Sequence, residues 1–140
     1  MIFKILDEYD NIEQYLSCVS DLMKSGGTPT TVEDIKYSLS TRPSNVITFI
    51  GLNDMGDIVS TATIIMEKKL RYKQLCCHIE DVGVYPSCRG QVYGKQIVEH
   101  CVDVAKKNNC YKIKLNCDDS LISFYTKIGF VKLGNHMIMG

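Results

Sequence analysis

HIEDVGVYPSCRGQVYGKQ, residues 78–96, decides how the rest of the chain is read. It opens as a strand-like apolar run, turns through Pro86 and Gly90, and closes as the start of a helix. No Asp or Glu lies between Pro86 and Gln96. The first four amides of a helix have no partner inside it, and an acidic side chain there would ordinarily satisfy one of them. The N–H groups over residues 89–95 therefore present an anion with the positive end of a helix dipole, and Gly90 and Gly94 let it approach the backbone. Taken alone, two glycines four apart before a helix more commonly mark a plain turn.

In the strand that precedes this turn, Glu80 and Asp81 are adjacent, so a period of two predicts them on opposite faces with one toward the core. A buried carboxylate either ends a hydrogen-bond network or has a raised pKa suited to proton transfer. Gly83 weakens the strand and marks a bulge, or a place where a ligand lies against the backbone. Further on, SLISFYTKIGF (120–130) sets Tyr125 near the end of a helix, with its ring in the core or its hydroxyl poised as a proton donor; Phe124 beside it is core.

Outward from this stretch, apolar spacing sets out the other elements. IFKIL (2–6) alternates as a strand. Ile12, Tyr15, Leu16, Val19, Leu22 and Met23 recur at three and four residues and predict a helix over 11–24, ended by GGTPT. Thr30 with Glu33 predicts a capping box for a short helix carrying Ile35 and Leu39. VITFIGL (46–52), the turn NDMGD and IVSTATIIME (58–67) predict an antiparallel hairpin, and basic KKLRYK leads to the strand CCHIEDVGV. Ile97, Val98, Cys101, Val104 and Ala105 mark a helix to about residue 108, KIKLNC (112–117) a strand, residues 120–128 a helix stopped by Gly129, and FVKLGNHMIM (130–139) a last strand. The order βααβββαβαβ describes an α/β (α+β) chain with one mixed central sheet and helices on both faces.

The totals agree. A chain of 140 residues, 45% hydrophobic and 23% charged, is expected to form one domain over 1–140. Sixteen basic and sixteen acidic residues cancel, so no overall field favours nucleic acid or a membrane surface. MIFKILDEYDN lacks a basic leader and a long apolar core, and no 18-residue apolar run follows, so a cytoplasmic location is expected. Seven cysteines (Cys18, Cys76, Cys77, Cys88, Cys101, Cys110, Cys117) without a CxxC pair read as reduced thiols, most of them small buried hydrophobes. His78, His100 and His136 do not complete a zinc set beside them, and no metal is expected.

HIEDVGV, RGQVYGK and NCYKIKLNCDDSLISFYTKIGF (109–130) together resemble the Gcn5-related N-acetyltransferase (GNAT) superfamily, and within it the members that acetylate amino-sugar phosphates. The likeness is strongest over 78–130, with TATIIMEKK (61–69) adding to it and the first 45 residues matching in helix order and in LMKSGG. RGxxxG alone is weak; HIEDV at this distance from CYKIKLxC and FYxKIGF is specific. The resemblance implies a GNAT fold in which the HIEDV and KIKLN strands splay apart, leaving a cleft for the pantetheine arm of acetyl-CoA. Backbone around Val82, Gly83 and Val84 would bind that arm as an added strand does. Arg89, Gly90, Gln91, Val92, Tyr93, Gly94 and Lys95 would hold the pyrophosphate.

The reaction implied is direct attack by the amine of D-glucosamine 6-phosphate on the thioester carbonyl in a ternary complex, with a product that feeds UDP-N-acetylglucosamine synthesis. No cysteine nucleophile is needed, because orientation and backbone donors carry the step. By the same resemblance Glu80 and Asp81 are the sugar-binding acidic pair, and Tyr125, touching the cofactor, protonates the departing thiolate. Lys24, Lys69, Tyr111 and Lys112 contact the sugar phosphate, and the protein is a homodimer. Asn116 stands where the family has an acid that orients the tyrosine, and it can hydrogen bond but not act as a base. Leu121 replaces an asparagine that contacts the cofactor, and Val92 a glycine of the phosphate loop. The family ends in a basic residue that reaches the sugar phosphate, whereas this chain ends MIMG, so either that contact comes from elsewhere or the acceptor differs. Two rivals follow: a GNAT enzyme for another small amine or a protein lysine, and a non-catalytic acyl-CoA-binding module. Retention of Glu80, Asp81 and Tyr125 speaks against the second.

Overall fold

The computed structural model describes residues 1–24 and 26–140. Its centre is a five-stranded sheet in the order β1 (Ile2–Ile5), β2 (Val46–Leu52), β3 (Ile58–Lys68), β4 (Leu75–Val84) and β5 (Lys112–Leu115). Neighbours are antiparallel from β1 to β4, while β5 joins β4 in parallel. A parallel neighbour needs a crossover, and helix α3 (Tyr93–Lys107) supplies it over one face. Helices α1 (Ile12–Cys18) and α2 (Val32–Thr41) cover part of the other face, and α4 (Ile122–Ile128) packs beside α3. The mixed sheet with helices on both faces is thus as the sequence predicts.

Period two sorts the strand residues between the two layers. Phe49, Ala62, Ile64, Cys77 and Ile79 meet Ile97, Val98, Cys101 and Ala105 of α3, which recur on one helical stripe. Each Ile, Val or Phe among these, fully buried, stabilises the fold by about 1.5–3 kcal/mol. On the opposite face Ile50 and Ile58 pack with Leu6, Ile12 and Cys18. Cys18, Cys76, Cys77 and Cys101 are buried, the small hydrophobes that were expected, and all seven thiols are free.

Three elements depart from the sequence reading. Helix α1 ends at Cys18, and Leu22–Lys24 form a separate 3-10 turn. The Ser17 and Ser20 hydroxyls donate back to the Glu13 and Ser17 carbonyls at 3.1 and 3.0 Å, competing with the helical ladder just where the carbonyl of Cys18 abuts Gly83. The box that caps α2 is Thr31 with Asp34, at 3.2 and 3.1 Å, not Thr30 with Glu33: the same spacing exists one residue apart, and the Thr30 hydroxyl turns to the Thr31 carbonyl. Ser25, within the LMKSGG match, lies outside the described residues. Finally, residues 130–139 form no strand. Gly134 sits at φ 71°, and Val131, Leu133, Met137, Ile138 and Met139 are 85–99% exposed. An apolar segment becomes a strand only where an edge and a face receive it, and these residues meet neither within one copy of the chain.

Candidate active site

Strand β4 changes register at its midpoint. Thr63 lies opposite Glu80 and Thr61 opposite Gly83, so Ala62 on β3 faces two residues, Asp81 and Val82, on β4. Asp81 takes the extra place at φ 52°, a left-handed backbone that Asp tolerates better than most residues. The bulge cancels the alternation that predicted opposite faces and one buried acid. Both carboxylates are exposed, and both line a single cavity of ≈ 280 Å³.

The floor of this cavity includes Thr48 and Thr63, buried threonines whose hydroxyls lie 2.7 Å apart. Tyr15 of α1 and Ile35 and Leu39 of α2 form its walls, and Arg42, directly after α2, donates from Nη1 to Thr48 Oγ1 at 2.8 Å. Burial pushes the Tyr15 hydroxyl up to about 12; Asp81 adds to the shift and Arg42 opposes it. A second hollow of ≈ 230 Å³ shares Tyr15, Ile35 and Asp81 and continues under Leu16, Val19 and Met23.

On the other side of the bulge the sheet opens. Pairing of β4 with β5 stops at Ile79 opposite Leu115, while β4 runs on to Val84. Past that point the edge of β4 at Val82, Gly83 and Val84 has no strand on its β5 side among the described residues, and its backbone groups can take a ligand's amides. The Arg89 side chain crosses here, with Nε donating to the Val84 carbonyl at 3.2 Å and Nη1 pairing with Asp21 at 2.6 Å. Gly83 adjoins the bulge, as expected, but its missing side chain makes room for protein: a Cβ there would stand 2.2 Å from the Cys18 carbonyl oxygen.

Helix α3 begins at the mouth of this opening without a side-chain cap and without an acid in its first turn. Its first backbone bond runs from the Gln96 N–H to the Val92 carbonyl at 3.0 Å, and the N–H groups before it have no backbone acceptor among the described residues. Gly90 uses glycine's freedom at φ 78°. At Gly94 a methyl would rest 3.4 Å from Phe124 and 3.5 Å from Val84, an ordinary contact, so packing does not demand glycine there. Uncapped amides beside an unpaired strand edge fit a diphosphate joined to an extended, amide-bearing arm.

Tyr125, 7% exposed, is held edge-on by Phe124 and Phe130 at centroid distances of 4.9 and 5.9 Å. Burial, with Cys117 adding to it, pushes its hydroxyl up to about 12, so it stays a proton-bearing donor. Asn116 is exposed immediately after β5, just past the last β4–β5 pair. Lys24 pairs with Asp21 at 3.5 Å, Lys69 with Glu67 at 2.7 Å, the Tyr111 ring packs on Tyr72 at 4.5 Å, and Lys112 is exposed opposite Cys76. None of these four lines the cavity that holds Glu80 and Asp81. Tyr15, Arg42, Thr48 and Thr63 do line it and went unmarked in the sequence. The threonines carried a faint signal as polar residues at inward strand positions; Arg42, before Pro43, carried none.

Among the described residues no group of three His, Cys, Asp or Glu side chains could hold a metal ion, and no helix is long and apolar enough to cross a membrane. Glucosamine 6-phosphate N-acetyltransferase of Candida albicans is 32% identical over 138 residues, covering 95% of this chain and 89% of that protein. The enzyme of the same name from Arabidopsis thaliana is 33% identical over 132 residues, covering 91% and 89%. The crystal structure of glucosamine-6-phosphate N-acetyltransferase from Arabidopsis thaliana superposes with a TM-score of 0.82 at 27% identity, over 100% of this chain and 99% of that one. Residues 12–130 match the acetyltransferase (GNAT) family, and the chain belongs to it.

Proposed function

We propose that the enzyme transfers the acetyl group of acetyl-CoA to the amine of D-glucosamine 6-phosphate, giving N-acetyl-D-glucosamine 6-phosphate. The observation that carries this reading is the bulge at Asp81 and Val82, which brings two carboxylates into one cavity beside the unpaired edge of β4. The Candida and Arabidopsis relatives support the choice of acceptor. When bound, acetyl-CoA supplies an activated acyl thioester. Val82, Gly83 and Val84 hold its arm by backbone hydrogen bonds, and the amides from Arg89, Gly90, Gln91 and Val92 through Tyr93, Gly94 and Lys95 hold its diphosphate.

On the acceptor side Glu80 and Asp81 accept hydrogen bonds from the sugar, aim its amine and take its proton. Fixing the two reactants in contact removes the entropy cost of a bimolecular encounter. Tyr125 points the other way chemically. With its hydroxyl at about 12 and a thiol near 8.5, full proton transfer to a thiolate is uphill by about 5 kcal/mol. Tyr125 therefore donates a hydrogen bond to the departing sulfur, and solvent completes the protonation. Asn116, unable to act as a base, supplies a neutral hydrogen-bonding group at the same end of the cleft.

The same proposal makes the protein a single-domain, cytoplasmic homodimer that serves UDP-N-acetylglucosamine synthesis. Support for pairing comes from residues 131–140, whose apolar side chains are exposed, and from β5, which ends the sheet. Two copies can cover each other's tails. Thiol release from acetyl-CoA tests the activity, with glucosamine 6-phosphate, glucosamine, a polyamine and a lysine peptide as acceptors. The sugar phosphate is expected to be fastest. Faster reaction of the polyamine or peptide assigns a different acceptor, and no release with any of them leaves a module that only binds acyl-CoA.

A further inference from the structure

The acceptor proposed above carries a phosphate dianion, and the cavity that holds Glu80 and Asp81 is lined by one cation, Arg42. Other cations already have carboxylate partners. Lys24 and Arg89 both pair with Asp21, and Lys69 and Lys114 share Glu67 at 2.7 and 3.8 Å. Arg42 is half-buried, spends one donor on Thr48 Oγ1, and has no carboxylate within ion-pair distance among the described residues. A guanidinium has five N–H donors in a rigid fork that matches two oxygens of a phosphate, so most of its capacity is unused. A charge partly removed from water without a counter-ion is costly, and an arriving anion relieves that cost.

The register gives the spacing. Thr48 pairs with Thr63, and Thr63 with Glu80, so the three residues run straight across adjacent strands on one face of the sheet. Thr48 lies two strand spacings, about 9.6 Å, from Glu80, and the Arg42 guanidinium rests on Thr48. A hexosamine 6-phosphate has its amine on C2 and its phosphate beyond C5, on opposite sides of the ring. It therefore bridges from the acidic pair at the bulge to the guanidinium, across the Thr48–Thr63 floor. We propose that Arg42 binds the phosphate of the acceptor and sets the preference for phosphorylated over free amino sugars; this rests on the acceptor reading given above.

Steady-state kinetics on the full chain test it, with glucosamine 6-phosphate and glucosamine as acceptors and the KM for acetyl-CoA as a control. For Arg42→Ala the ratio of kcat/KM between the two sugars is expected to fall about 10- to 100-fold, the size of one lost charge-assisted, two-pronged contact. Arg42→Lys should recover part of the ratio, and the KM for acetyl-CoA should hold. An Arg42→Ala enzyme that keeps the wild-type ratio overturns the inference while leaving the acceptor reading intact. So does an equal loss on both sugars, which assigns Arg42 to holding α2 on Thr48. A wild-type enzyme with no preference for the phosphorylated sugar sinks the acceptor reading and the inference with it. If Arg42→Ala does not fold, Arg42→Gln, which retains a donor for Thr48, carries the same comparison.

Discussion

Substituting Gly83 with alanine isolates the contact that seats helix α1 on strand β4. The new methyl would lie 2.2 Å from the Cys18 carbonyl oxygen and 2.9 Å from its carbon, both backbone atoms that no rotamer change can move. Since C···O contacts settle near 3.3 Å, α1 must retreat by about 1 Å. A gap of that size forfeits roughly a quarter to a half of each dispersion contact beneath the helix, and overpacking of this kind costs about 1–3 kcal/mol, occasionally more. Gly83 is not in the left-handed region, so alanine also gains about 0.4–1 kcal/mol by stiffening the unfolded chain. The net expectation is a loss of about 1.3 kcal/mol, or roughly 4 °C in Tm for a chain of this length. Denaturant melts followed by far-ultraviolet circular dichroism measure it, with Gly94→Ala as a control expected to be neutral or stabilising. A Gly83→Ala protein as stable as wild type would mean that α1 does not rest on the β4 backbone.

Tyr125→Phe should lower kcat about 10- to 100-fold with the KM for acetyl-CoA held within about twofold, since the hydroxyl is a donor and the ring is core; full turnover in that variant returns Tyr125 to packing alone. Asp81→Asn keeps a residue that accepts φ 52° but removes the charge, so thermal melts should stay within about 0.5 kcal/mol of wild type while turnover drops. Asp81→Ala should lose turnover and about 1 kcal/mol of stability together, and equal melts for the two variants would show that the bulge imposes no conformational demand. Burial raises Cys18, Cys77 and Cys101 from 9.0 to about 12, and Tyr15 and Tyr125 from 10.0 to about 12. The unfolded chain releases these protons first, so stability is intact below about pH 9 and falls as pH rises through 9 toward 12. The three thiols alone should remove about 4 kcal/mol between pH 8 and pH 10, and a flat series of melts under reducing conditions would contradict their burial.

Elements with a long apolar period were legible in the sequence: α3 carries Ile97, Val98, Cys101 and Ala105 on one stripe, and its uncapped start was visible as a missing acid. The free edge of β4 was reached through the family likeness, not through spacing, because the end of the β4–β5 ladder leaves no mark in composition. The bulge was invisible for a simple reason. Alternation is counted along one strand, whereas a bulge is a mismatch between two, and Ala62 opposite Asp81 and Val82 is seen only once β3 and β4 are aligned. Arg42 was hidden likewise, since its meaning comes from Thr48, a neighbour in space six positions on. Residues 130–139 failed in the opposite direction: their apolar content is real, but a strand also needs an edge to join.

Strand β4 works in three directions at once. Its free edge faces the cleft proposed for the donor, its bulged face the cavity proposed for the acceptor, and its glycine the carbonyl of α1. The other walls of that cavity include Tyr15, Ile35, Leu39 and Arg42, all earlier in the chain. A protein built this way can be retooled for a new amine by redrawing the walls in its first third, while the strand proposed to grip the thioester carrier is left alone.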